Sequence, residues 1–146
     1  MEIQFIQTHK DAKLPQKNNS DHLRGDAGYD LFTVEDCVIP AKGSAIVPVG
    51  LKLGFITPGY WFRIEPRSGL GFKQSLQPHL GVIDNGYRGD LGIKVYNFSD
   101  DSQLISKGNG VAQFVVYQMI PSTVSFTDVA KEGLRGESGF GSSDKN

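Results

Sequence analysis

The sequence predicts an all-β fold, a barrel or sandwich of short strands. Short runs rich in β-branched and aromatic residues recur along it, and turn-forming residues separate them. No long stretch keeps a helical period.

In chain order, the first strand signals are Ile3-Gln4-Phe5-Ile6, Leu31-Phe32-Thr33-Val34 and Ala45-Ile46-Val47-Pro48-Val49. Each is short and dominated by residues that suit a pleated, half-buried surface. Tyr60-Trp61-Phe62-Arg63-Ile64, Ile93-Lys94-Val95-Tyr96, Phe114-Val115-Val116-Tyr117 and Val124-Ser125-Phe126 continue the pattern. Val82 and Ile83 read as the end of a buried strand, with a strong turn signal after them at Asn85-Gly86. Pro40-Ala41-Lys42-Gly43, Thr57-Pro58-Gly59, Asp100-Asp101-Ser102 and Asn109-Gly110 mark other turns. One short helix is predicted from Ser68 to Lys73, with Ser68 capping its first turn.

A chain of 146 residues suits one domain with a real core. The net charge of −1 shows no basic excess that would recommend a nucleic-acid partner. A small anionic ligand needs only a few placed cations, so it stays open. Eighteen glycines are about twice the usual share of ~7%, which fits many tight turns or close backbone–ligand approaches. Cys37 is the only cysteine, so no intrachain disulfide forms and a reducing compartment is favoured. Met1 to Gln7 lacks the basic-then-apolar order of a signal peptide. The most apolar run, Val111 to Ile120, is too short to span a membrane. The expectation is a soluble, cytoplasmic protein with no membrane partner.

The body is expected to cover residues 1–130, with 131–146 as a separate arm. Lys131 to Asn146 holds four glycines but only Leu134 and Phe140 as large apolar side chains. Such a segment buries too little to order itself. It reads either as a frayed terminus or as a lid that orders over a ligand.

Gly81-Val82-Ile83-Asp84-Asn85-Gly86-Tyr87-Arg88-Gly89 runs apolar into one carboxylate, turns, then presents an aromatic and a cation. An aspartate at the end of a rigid strand, still meeting water, suits a general base. The same Asp84 also suits a simple turn cap.

Four more clusters combine glycine with a polar or charged group. Ala27-Gly28-Tyr29-Asp30-Leu31 sets a carboxylate beside a flexible turn. Pro66-Arg67-Ser68-Gly69-Leu70 sets Arg67 at the start of the short helix, where a bidentate donor suits an anion. Gly108-Asn109-Gly110-Val111-Ala112-Gln113 delivers an amide at the start of a strand. Arg135-Gly136-Glu137-Ser138-Gly139-Phe140-Gly141-Ser142-Ser143 combines a guanidinium, an aromatic and hydroxyls with glycines that let backbone donors approach phosphate. Singly, each has a plainer reading: Arg67 in a surface ion pair, Gln113 as a solvated strand residue, Phe140 docked on a neighbouring subunit. No Lys stands directly after a glycine of the last cluster, so it is not a Walker loop.

Together and in this order, the five clusters resemble the five motifs of the homotrimeric deoxyuridine triphosphatases (dUTPases). The resemblance runs from Ala27 to Ser143 and is most specific at Pro66-Arg67-Ser68-Gly69 and at Gly81-Val82-Ile83-Asp84 through Tyr87-Arg88-Gly89. It implies a distorted, jelly-roll-like β-barrel subunit, a homotrimer, and three interface sites closed by C-terminal arms. It implies hydrolysis of dUTP to dUMP and pyrophosphate with Mg²⁺, which keeps uracil out of DNA and supplies dUMP for dTMP synthesis.

The resemblance also implies roles. Asp84 activates the water that attacks the α-phosphorus. Arg67, Ser68 and the Gly69 amide hold phosphate oxygens, Gln113 adds a hydrogen bond, and Arg135 takes the γ-phosphate. Gly141 and Ser142 belong to the same closing motif. Asp30 touches the metal through water. The Tyr87 ring packs on the deoxyribose, and main-chain groups of Gly81, Val82 and Ile83 read uracil, with help near Gly92. Cytosine presents a reversed donor and acceptor pattern and is rejected. Phe140 stacks on uracil when the arm closes.

Two positions depart from the family pattern. Gly110 stands where Arg is usual, so the local ion pairing must differ, and Asp144 stands where Gly is usual. The strand Ile93 to Asn97 has no acid, which counts against a dCTP deaminase, the nearest enzyme rival. His9, His22 and His79 lack metal-ligand spacing. A regulatory protein partner stays open.

Overall fold

The structure is a computed structural model that describes residues 1–139. Eleven strands and one helix follow in order among the described residues. They are β1 (Ile3–Gln7), β2 (Gly28–Phe32), β3 (Cys37–Ile39), β4 (Ser44–Val47), β5 (Leu51–Ile56), β6 (Tyr60–Glu65) and α1 (Ser68–Gln74). β7 (Leu76–Pro78), β8 (Gly81–Ile83), β9 (Ile93–Asn97), β10 (Gln103–Ile105) and β11 (Gly110–Gln118) complete the set.

All the pairings are antiparallel. β2, β11, β6 and β8 form one sheet in that order, and β4, β9 and β7 form another. β1–β5 and β3–β10 form two further two-stranded sheets. This matches the all-β, jelly-roll-like expectation with one short helix. No helix of the described residues is long and apolar enough to cross a membrane.

Alternation fixes which face is buried. On β6, Phe62 and Ile64 point inward while Trp61, Arg63 and Glu65 point out. On β9, Ile93 and Val95 point inward between more exposed neighbours. The core centres on Phe62 and Phe114, whose ring centroids lie 4.6 Å apart. Phe5 packs 5.8 Å from Phe114, and Tyr29 stacks on it at 5.1 Å. Such pairs contribute ~0.5–1.5 kcal/mol each beyond the area they bury. Asn97 is a buried polar residue with full pairing. Its Nδ2 donates to Ile39 O at 3.0 Å and Asp101 O at 2.8 Å, and its Oδ1 accepts from Ser99 N at 2.9 Å.

Four local expectations change. Ser68 lies inside α1, and Arg67 occupies the cap position with no side-chain cap bond. The Ala27–Leu31 cluster is strand from Gly28 onward, because pairing with β11 supplies a ladder that outweighs glycine's weak strand preference. The turn before β11 falls at Lys107-Gly108, where Gly108 has φ of 85°, and Gly110 is already strand. Val124-Ser125-Phe126 forms no strand. Val124 and Phe126 are fully exposed, because a strand needs an edge to pair with and this segment meets none among the described residues. Met119 N donates to Gly59 O at 2.7 Å. Beyond it the described chain to Gly139 carries no helix or strand.

Candidate active site

The sheet β2–β11–β6 gathers one set of expected site residues. On its outer face Gln113 sits between Asp30 of β2 and Glu65 of β6 in register. Asp30 is held from both sides, because its N–H donates to Gln16 O at 2.8 Å. Its Oδ1 lies 3.0 Å from Arg67 Nε, a half-buried ion pair. Gln113 Nε2 donates to Pro66 O at 2.9 Å, which ties β11 to the turn that delivers Arg67 and Ser68.

Two glycines make room for these side chains. A Cβ on Gly28 would overlap Gln113 Oε1, and a Cβ on Gly110 would overlap Arg67 Nη1. The departure at Gly110 therefore has a structural answer: the Arg67 guanidinium fills the space that a side chain at 110 would take. Gly69 lies beside them on α1, with open space above its Cα.

Arg67 stands where three cavities meet. One of about 520 Å³ runs between Pro66, Ser68, Gly71, Phe72, Gln77 and Gln113. Another, about 340 Å³ and mostly polar, is lined by Asn18, Asp26, Gly28, Asp30, Ser68 and Gln113. The third borders Gly69, Lys73, Asn109 and Gly110. Cations and amide donors on polar walls suit a polyanion such as a phosphate chain. No group of three or more His, Cys, Asp or Glu side chains forms a metal cage among the described residues. Asp30, with Asp26 on the same polar wall and Arg67 beside it, fits Mg²⁺, which takes most ligands from phosphates and water.

A second set of residues gathers at β8 and the turn after it. β8 is the outer strand of its sheet, so among the described residues one edge of Gly81, Val82 and Ile83 has no strand beside it. Asp84 follows, exposed, and Tyr87 N donates to Asp84 O at 3.0 Å to close the Asn85-Gly86 turn. The Tyr87 hydroxyl donates to Asp90 O at 2.8 Å, and a Cβ on Gly89 would overlap that hydroxyl. Arg88 Nη1 donates to Asn85 O at 2.7 Å and Tyr87 O at 2.9 Å. Gly92 lies just before β9, where a Cβ would crowd Ile46.

The two sets are not together within one chain. β8 runs antiparallel to β6, with Gly81 opposite Ile64 and Ile83 opposite Phe62. Asp84 therefore leaves at the Phe62 end, while Arg67 follows Glu65 at the other end. Four or five residues of strand separate them, on the order of 15 Å. None of the three cavities that Arg67 lines includes Asp84 or Tyr87.

Arg135 lies in the exposed C-terminal segment, where its Nη2 donates to Gly139 O at 3.1 Å. The expectations for Phe140, Gly141 and Ser142 lie outside the described residues.

Several residues of this region escape a reading of the sequence. Asn18, Asp26 and Phe72 line the cavities through tertiary placement, and no spacing signal marks them. Asn85 reads as a turn residue, yet its Nδ2 donates to Tyr60 O at 2.9 Å and Thr57 O at 3.1 Å. A long-range tie of that kind has no local signature.

The dUTPase family model matches residues 13–144. A relative in Fowl adenovirus A serotype 1, a deoxyuridine 5'-triphosphate nucleotidohydrolase, is 44% identical over 119 residues, covering 81% of this chain and 66% of its own. One of the same description in Kluyveromyces lactis is 38% identical over 138 residues, covering 93% of this chain and 89% of its own. Among solved structures, a mutant of the Staphylococcus bacteriophage 80alpha dUTPase with dUpNHpp superposes with a TM-score of 0.86 at 27% identity, covering 97% of this chain and 98% of that one. With five motifs in order, this fold and these relatives, the chain belongs to the dUTPase family.

Proposed function

We propose that this chain hydrolyses dUTP to dUMP and pyrophosphate at sites assembled between copies of itself. The observation that carries this reading is the pair of half-sites on one subunit. Donors suited to phosphate surround Arg67, and a strand edge and turn carry Asp84 and Tyr87. The chain is also similar to deoxyuridine triphosphate nucleotidohydrolases over most of its length.

In this mechanism the open edge of β8 pairs with the uracil edge through main-chain groups. Cytosine would leave those groups unpaired in a buried site. The Tyr87 ring, fixed through Asp90, packs on the deoxyribose and leaves no space for a 2′-hydroxyl. Asp84, at the end of a tied turn, orients a water and takes its proton as the oxygen attacks the α-phosphorus. Aspartates are weak bases at neutral pH, so positioning and charge stabilisation supply much of the rate. Arg67, Ser68, the Gly69 amide and Gln113 hold phosphate oxygens, and Arg135 with Phe140, Gly141 and Ser142 closes the site. Bound Mg²⁺ would neutralise triphosphate charge, held on the protein side by Asp30 through water.

Three copies are proposed, each lending Asp84 and Tyr87 to a site whose phosphate side belongs to a neighbour. The bare apolar side chains after β11 support assembly: Ile120, Val124, Phe126 and Val129 are each more than 70% exposed. Residues 1–130 form the body and 131–146 the closing arm.

Pyrophosphate release from dUTP, dCTP, dTTP and UTP tests the reading. Release from dUTP alone is the expected result. Ammonia from dCTP, or no turnover of any of the four, would overturn it.

A further inference from the structure

Asn18 lines the polar cavity of about 340 Å³ beside Arg67, yet it precedes the five motifs, which begin at Ala27. Ties on both sides hold it there. Just before it the chain runs along the outer edge of β2, where Gln16 forms an antiparallel bridge with Asp30 and Asp30 N donates to Gln16 O at 2.8 Å. Two residues on, that register brings Asn18 level with Gly28, on the face that carries Asp30 and Gln113. Just after it the chain folds back on itself. Asn19 N donates to Asp26 Oδ2 at 3.1 Å, and Asp26 N donates to Asn19 O at 2.9 Å. A Cβ on Gly25 would overlap the carbonyl oxygens of Asn19 and Asp21, so this loop is tightly closed.

The longer polar side chains of this wall are already bonded. Asp30 holds Arg67 Nε, Gln113 donates to Pro66 O, and Asp26 accepts from Asn19 N. The Asn18 carboxamide bonds to no protein group among the described residues. Gln113 leans over Gly28, where a Cβ would overlap its Oε1, so the two amides share one patch of wall.

We infer that the side-chain amide of Asn18 is a further phosphate ligand of this site, donating an N–H to the phosphate chain that Arg67 holds. The inference rests on the proposed reading that this cavity takes the phosphates of dUTP. Asp26 and Asp30 put negative charge on the wall, which suits a cation and opposes bare phosphate oxygens. A neutral donor on that wall binds an oxygen without adding charge of either sign. Its backbone is fixed before binding, so the amide gives up little freedom beyond its own rotamers.

The test uses the full chain with Mg²⁺ and a non-hydrolysable dUTP analogue. Asn18→Ala removes an amide that bonds nothing in the protein, so the thermal transition should stay at the parent value. Analogue affinity, read by calorimetry, and kcat/KM with dUTP should each fall about ten- to hundredfold, the worth of one hydrogen bond to a charged group. In a ¹H–¹⁵N spectrum the Asn18 NH₂ pair is assigned by its loss in Asn18→Ala. It should shift when the analogue is added and stay in place with deoxyuridine, which has no phosphate. Asn18→Asp, equal in shape but without the donor, should bind no better than Asn18→Ala. If it binds as tightly as the parent, donation is refuted. If Arg67→Ala loses affinity while Asn18→Ala binds like the parent, Asn18 is refuted as a ligand and the phosphate reading stands. If Arg67→Ala also binds like the parent, the phosphate reading fails and the role of Asn18 falls with it.

Discussion

The side-chain amide of Asn85 donates to the carbonyl oxygen of Tyr60 across 2.9 Å. It reaches Thr57 O at 3.1 Å as well, and so uses both of its hydrogens on the β5–β6 turn. The residue next to the proposed base is thereby nailed to a different part of the barrel. Asn85→Ala leaves those carbonyls without this partner. It should destabilise the fold by ~1–3 kcal/mol, read by denaturant unfolding. Turnover should fall more than this loss of folded protein explains, because Asp84 loses its anchor. A variant as stable and active as the parent would show that the tie is ornamental.

Asp84→Asn keeps the shape of the turn and removes the proposed base. Nucleotide affinity, measured by calorimetry with a non-hydrolysable dUTP analogue, should change little. Turnover should drop by ~10²–10⁴-fold. Parent-like hydrolysis would remove Asp84 from the mechanism.

The separation of Asp84 from Arg67 within one chain predicts complementation. Asp84→Asn and Arg67→Ala should each be nearly inactive as pure proteins. Co-expressed, they form mixed assemblies in which some sites draw an intact Asp84 from one copy and an intact Arg67 from another. Partial recovery of dUTP hydrolysis is expected. Mixed assemblies, verified by mass, that stay as inactive as the pure variants would mean that each site lies within a single subunit.

Removing residues 131–146 should leave the thermal transition near that of the full chain, since Leu134 is fully exposed and no strand or helix of the described residues lies there. Hydrolysis should collapse if Arg135 and Phe140 close the site. Full activity in the shortened protein would end the lid reading.

Acid should open the loop before β2. Asp21 Oδ1 accepts from Leu23 N at 2.9 Å and Arg24 N at 2.8 Å. These backbone hydrogen bonds, followed by the Arg24 side chain, hold its carboxyl below the ordinary carboxylate range. A depressed value means that the stabilisation is present above the unfolded pKa of ~3.9 and is lost as pH falls through the lower folded value. Amide exchange at Leu23 and Arg24 should accelerate below that range, and Asp21→Asn should lose this pH dependence.

Much of this was legible along the chain, for identifiable reasons. β1, β6, β9 and β11 contain dense runs of β-branched and aromatic residues, so local composition marks them. β3, β7 and β10 have three residues each, too few to hold a period. β5 hides behind Gly54 in its interior, which reads as a break. Val124 to Phe126 has strand composition without a strand, because pairing is a property of two segments and composition a property of one.

The order and types of residues by themselves determined the all-β class, the family resemblance and the chemistry on offer: a lone carboxylate before an Asn-Gly turn, an arginine after a proline, an amide on a strand. Tertiary structure alone decided that Asp84 and Arg67 stand at opposite ends of a sheet, that Asn85 anchors on Tyr60, and that Arg67 lies in the space left by Gly110. The reason is physical. Strand register and side-chain packing join residues far apart in the chain, and no local period or turn rule encodes which distant partner fills a given space.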